Sequence, residues 1–237
     1  MRLFILLLIL LFAVNCFPQT VLLEEDVEGD TIIQKNGPNL KRYGHLFLDY
    51  GLFADKPEGS GLDIMYGNSS SFGAGYRYKY KITNFLAFGW DLHFSGWTFR
   101  IKQNDQKTFP DTILHKRERI GISNWGGEIY IRINYGKRGN QIGKFIDFAG
   151  YGNWVRGADH FTLDKLSTPN AVHAKIVRTT YSDLLYIEKY NYGVNFRLGF
   201  NRFVMGASYR LSDLILESFN TYPELPRLHI FLQIGIH

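Results

Sequence analysis

From Lys41 to the C-terminus, apolar and polar residues alternate with a period of two, interrupted by short stretches rich in turn formers. That is the pattern of β-strands whose two faces meet different surroundings. Leu46, Leu48, Tyr50 and Leu52 fall on one face, with His45, Phe47, Asp49 and Gly51 on the other. Next, Phe72, Ala74, Tyr76, Tyr78, Tyr80 and Ile82 share a face opposite Gly73, Gly75, Arg77, Lys79 and Lys81. After a reversal at Thr83-Asn84, Leu86, Phe88, Trp90, Leu92 and Phe94 oppose Ala87, Gly89, Asp91, His93 and Ser95.

The pattern then repeats. A loop around Gln103 to Asp111 precedes a strand with Ile129, Ile131, Ile133 and Tyr135 on one side and Glu128, Tyr130, Arg132 and Asn134 on the other. Gly136 to Asn140 forms a turn. The fifth strand sets Ile146 and Phe148 against Asp147, Tyr151 and Asn153, and continues toward Leu163. Ser167-Thr168-Pro169-Asn170 turns the chain into one return strand, weakly alternating from Val172 and strongly so from Tyr190 to Phe200, with Asn195 and Arg197 on its polar face. Asn201-Arg202 reverses the chain into Phe203–Leu211, where Arg210 is polar-facing. A loop holding Pro223 and Pro226 leads to a last strand, Leu228 to Ile236.

The count is eight strands, with short turns on one side and long loops on the other. Long aromatic faces, short turns and an even strand number are habits of outer-membrane barrels. The predicted fold class is all-β, an eight-stranded antiparallel up-and-down transmembrane β-barrel. Mean hydropathy is −0.16, and no stretch beyond the start reads as a membrane helix. This excludes a helical membrane protein but not a barrel, whose strands hide apolar residues in every second position.

The first residues change the picture of the compartment. Arg2, the apolar run Leu3 to Val14, then Asn15, Cys16 and Pro18 have the order of a secretory signal. The expected organisation is a signal peptide at 1–18, a periplasmic N-terminal leader at 19–40 and an outer-membrane barrel domain at 41–237. Cys16 is the sole cysteine. Asn15 precedes it where a lipidation signal wants Gly, Ala or Ser, so cleavage after Cys16 or a little later is expected. The mature chain then has no disulfide, catalytic thiol or cysteine-ligated metal.

The formal net charge is +5. Export argues against nucleic acid as partner, and the densest basic cluster, Lys116-Arg117-Glu118-Arg119, reads as a loop or strand rim facing anionic lipid. Outer-membrane lipid is the expected surrounding. The interior-facing positions collect charges of both signs: Asp49, Arg77, Lys79, Asp91, His93, Glu128, Arg132, Asp147, Arg197 and Arg210. Buried charges need one another, and eight strands leave an interior that side chains nearly fill. The leading reading is a plugged polar lumen without catalysis, the external loops, chiefly the 155–190 hairpin, meeting a protein partner.

Two alternatives remain open. One is a small pore favouring anions. The other is a hydrolase with a lumen or rim site using Asp91, His93 and Ser95, with His45 and Asp49 nearby. Residues two apart on a strand stand ~7 Å apart, which is read as too far for a direct hydrogen bond between Asp91 and His93. Gly73-Ala74-Gly75 and Gly150-Tyr151-Gly152 resemble nucleotide loops only superficially. The seven histidines show no ligand spacing, so no metal or cofactor is expected.

Tyr190-Asn191-Tyr192-Gly193-Val194, Phe196-Arg197-Leu198-Gly199-Phe200, Tyr209-Arg210-Leu211-Ser212-Asp213-Leu214 and Glu224-Leu225-Pro226 resemble the PorT-like outer-membrane β-barrel family of Bacteroidota. The resemblance covers the last three predicted strands and implies an outer-membrane barrel of about this size. One branch of that family serves the type IX secretion system, while most members have no assigned role. The chain departs from the usual barrel ending, closing on Ile236-His237 where an aromatic residue is common.

Overall fold

The computed structural model describes residues 35–136, 139, 141–166 and 175–236. The predicted signal peptide, Cys16, most of the predicted leader, the turn at Ser167-Thr168-Pro169-Asn170 and His237 lie outside the described residues. Nine strands follow in order: β1 (Arg42–Phe53), β2 (Ser70–Lys81), β3 (Leu86–Arg100), β4 (Arg117–Tyr135), β5 (Lys144–Lys165), β6 (Ile176–Ser182), β7 (Tyr190–Phe200), β8 (Phe203–Arg210) and β9 (Leu228–Ile236). Among the described residues a single 3-10 turn spans Glu217–Phe219, and no helix is long and apolar enough to cross a membrane.

Eight of these strands close a ring. β1, β2, β3, β4, β5, β7, β8 and β9 each pair antiparallel with their ring neighbours, and β1 with β9 shuts the circle. Three short reversals, after β2, β4 and β7, lie at one end; the longer loops lie at the other. The predicted faces hold. Leu46, Tyr50, Phe72, Leu92, Ile129 and Leu232 are exposed on the outer side, while Arg77, Asp91, Glu128, Arg132, Asp147 and Arg197 are buried within. Inward glycines make room for rings: a methyl at Gly89 would stand 2.5 Å from Tyr130 Oη.

The strand count is corrected in one place. The return strand expected to run unbroken from Val172 to Phe200 is two strands, β6 and β7. Asp183 adopts a left-handed backbone (φ 56°), which Asp tolerates better than most residues. The segment after it leaves the ladder, and Ile187 turns inward to bridge Ile215. β5 therefore pairs with β7 over its first half and with β6 over Asp159–Lys165. A register shift opposite Ser123/Asn124 in the β4–β5 ladder reverses the faces of β5. Below it Phe145, Asp147, Tyr151 and Asn153 point inward; above it Ala158, His160 and Thr162 do.

The interior also departs from a uniformly polar filling. At the long-loop end, Trp97, Phe99, Ile120, Ile122 and Phe53 point inward and pack with Leu62, Ile64, Phe109, Leu214, Ile215 and Leu225 from three loops. These loops fold over the ring as an apolar cap. They cover strand positions whose apolar faces would otherwise meet water, and this burial drives their packing.

Candidate functional site

The middle of the ring holds an ionic layer built from five strands. Arg77 on β2 donates from Nε (3.0 Å) and Nη2 (2.8 Å) to Asp91 on β3. Arg132 on β4 donates from Nε (2.7 Å) and Nη2 (2.8 Å) to the two oxygens of Asp147 on β5. Arg197 on β7 ties the two pairs together: it contacts Glu128 through Nη1, Asp147 through Nε at 3.3 Å and Asp91 at 3.9 Å. Three guanidiniums thus meet three carboxylates, and none of the six residues is more than 4 % exposed. Arg132 also lies 3.5 Å from the Phe145 ring centroid, and Tyr130 has Arg77, Arg132 and Arg197 within 5.5 Å. Such matched, bidentate contacts are what allow charges to be buried at all.

Above it lies a neutral layer. Asn153 Nδ2 donates to Asn191 (2.9 Å), Asn191 to Asn124 (3.3 Å) and Asn124 to Ser95 (3.4 Å). His93 links the layers, with Nδ1 3.0 Å from Asp91 and Nε2 3.0 Å from Asn153. The expectation that Asp91 and His93 stand too far apart to bond is therefore wrong. Their Cα atoms have strand spacing, but two long side chains on one face lean together and close the gap.

A cavity of about 60 Å³ runs between the ionic and neutral layers, lined in part by Asp49, His93, Glu128, Asn195, Arg197 and Gln233. Arg197 Nη2, Gln233 Nε2, Asn195 Oδ1 and Ser71 Oγ have no hydrogen-bond partner among the described residues. Polar atoms in a space of this size are satisfied by a few waters.

Of the ten residues predicted for the lumen network, seven meet in these layers: Arg77, Asp91, His93, Glu128, Arg132, Asp147 and Arg197. Asp49 lines the cavity beside Gly73. Lys79 lies lower, where its Nζ donates to the Pro38 carbonyl and sits 5.7 Å over Tyr43, so the end of the leader lies across the short-turn mouth. Arg210 works at the opposite end. It pairs with Glu224 at 2.8 Å and donates to the Leu225 carbonyl at 2.7 Å, while Glu224 accepts from the backbone of Leu214 and Ile215. The motif residues of β8 and the following loop thus form one knot.

A second charged cluster, outside the predicted set, sits beyond the apolar cap. The Lys107 ammonium contacts Glu118 (2.8 Å), Asp111 (3.0 Å) and the Ile113 carbonyl (2.6 Å). Glu118, on β4, also accepts from Gln103 (2.7 Å) and lies 2.7 Å from His160 on β5. Burial pushes the Glu118 carboxyl up, but the hydrogen bonds from His160, Lys107 and Gln103 outweigh it and hold its pKa below the ordinary value. For Asp111 burial also pushes up, and the bonds from Lys107 and the Ile113 amide overcome it. His115 Nδ1 lies 2.9 Å from Asp164 on β5. The only signal of this cluster in the sequence is the density of charge from Lys107 to Arg119, since loop residues carry no face periodicity.

Comparison with known proteins gives no match, neither to a family model nor to a curated protein. The likeness to PorT-like barrels rests on the C-terminal strand motifs alone.

Proposed function

We propose that this protein is an outer-membrane β-barrel with a plugged polar lumen, acting without catalysis through its external loops. The observation that carries this reading is a pair of exposed aromatic belts. Phe85, Tyr135, Phe200 and Phe203 flank the short turns, while Trp125, Trp154 and Tyr190 stand in register across β4, β5 and β7. Between them the outer face is apolar, aliphatic at Ile129, Ile131 and Leu198 and aromatic at Trp90, Phe148 and Phe196. Ten residue steps from Trp125 to Tyr135, at ~3.3 Å each and tilted by ~40°, span ~25 Å, the height of a barrel's apolar band. Lipid on that face explains exposed apolar surface that water would penalise.

The plug follows from the three interior layers. Both ring nitrogens of His93 are engaged, by Asp91 and Asn153, which leaves neither to activate a serine and weighs against a hydrolase. β5 and β6 rise beyond the ring as a hairpin, with Ile176 and Tyr181 exposed on β6, and this hairpin is the partner-facing element of the reading.

Single-channel recording of the refolded protein in a planar bilayer tests it. Heat-modifiable migration establishes that the barrel is folded, and the expected record is silent. Steady openings that vanish in Arg77→Gln would replace the plug with a pore.

A further inference from the structure

The geometry points to a divalent transition-metal site, of the kind that takes Zn²⁺, at Asp111, His115 and Glu118 in the external loops. One His115 nitrogen and one oxygen from each carboxylate lie within 4.8 Å of one another. Carboxylates alone would not make a site. The second observation is His115, whose side chain is only 9 % exposed and whose Nε2 has no hydrogen-bond partner. That atom faces Asp111 Oδ2 at 3.7 Å. Two ligands on a tetrahedral zinc with ~2.0 Å bonds are ~3.3 Å apart, so a small closure brings both into range.

The surroundings are arranged as a second shell. Asp164 accepts from His115 Nδ1, at 2.9 Å and 3.0 Å for its two oxygens. This fixes the tautomer that leaves the Nε2 lone pair aimed at the cluster, the arrangement common behind metal-bound imidazole. His160, 2.7 Å from Glu118 Oε1, orients that carboxylate, whose Oε2 accepts from Lys107 at 2.8 Å and Gln103 at 2.7 Å. Without metal, the Lys107 ammonium neutralises both carboxylates. On binding it withdraws toward the Ile113 carbonyl, which it already contacts at 2.6 Å. One imidazole with carboxylate oxygens favours Zn²⁺ and its neighbours over Ca²⁺ or Mg²⁺, which prefer oxygen alone. A bound ion would join the β3–β4 loop to β4 and, through Asp164, to the outer end of the β5–β6 hairpin.

The test is calorimetric titration of ZnCl₂ into the refolded, tag-free chain in detergent, with heat-modifiable migration monitored for each variant. Expected are saturable binding of one Zn²⁺ per chain, its loss in His115→Ala and Asp111→Asn, and a roughly 10–100-fold weakening in Asp164→Asn, which removes only the supporting charge. No saturable binding would overturn the site. So would affinity unchanged in folded His115→Ala or in folded Asp164→Asn, and Asp164→Asn decides the matter if His115→Ala fails to fold.

Discussion

Two levels of the ring interior share one alternation and carry opposite chemistry. At the level of Asp91, Glu128 and Arg197 the inward positions are charged and, apart from the Asp91–His93 contact within β3, their partners come from other ring strands. Further along the same strands, at Trp97, Phe99, Ile120 and Ile122, they are apolar, and many of their partners come from loops. The difference follows from reach. Mid-ring, only strand side chains can fill the narrow interior, and long guanidinium stems cross it and pair with carboxylates. At the open end loops can fold in, so apolar side chains find cover that no strand supplies.

The largest effect is expected at the ionic level. Arg197→Met removes the group joining both ion pairs and leaves Glu128 with only Arg77, 4.0 Å away, as its cation. Breaking a buried pair from one side costs about 3–5 kcal/mol, read as a lower urea midpoint for loss of the heat-modifiable form. A shift as small as that of a surface substitution would mean that the layer does not hold the ring together.

Phe99→Ala probes the other level. Phe99 is fully buried in the cap, and truncation costs about 3 kcal/mol. The effect should be local: faster amide exchange and proteolysis in loops 54–69, 101–116 and 211–227, with a smaller change in the urea midpoint than for Arg197→Met. Equal changes would make cap and ring one cooperative unit.

The smallest effect is that of pH on the outer cluster. The folded pKa of Glu118 is depressed, so its contribution is present above the unfolded pKa and lost as pH falls through the folded one. Amide exchange in loop 101–116 should therefore quicken below the ordinary carboxylate range. Glu118→Gln should abolish that dependence, and a loop indifferent to acid would deny Glu118 its role.

Strand faces, the short reversals and the seven residues that meet in the ionic and neutral layers were legible because a period of two sorts residues by face whatever their partners. Asp183 was not legible as a break, since the weak alternation before Tyr190 looks the same whether the strand continues or folds inward. Alternation carried on from Ser95 places Trp97 and Phe99 inward, but the loops that cover them have no periodicity from which their packing could be read. The Asp91–His93 contact depends on side-chain lean, which Cα spacing does not capture.

By itself the sequence determined which side chains face inward and that the inward set carries both signs of charge, because alternation along a strand is a local property of the backbone. The tertiary structure decided which charges pair across the interior: Arg77–Asp91 and Arg132–Asp147 are direct neighbours in the β2–β3 and β4–β5 ladders, whereas Arg197 on β7 meets Asp91 on β3 and Glu128 on β4 only once the ring is closed. It also decided where the interior turns apolar, and that Asp111, His115 and Glu118 share one corner. Those contacts join residues from loops and separate strands, and their distances are set by closure of the whole chain.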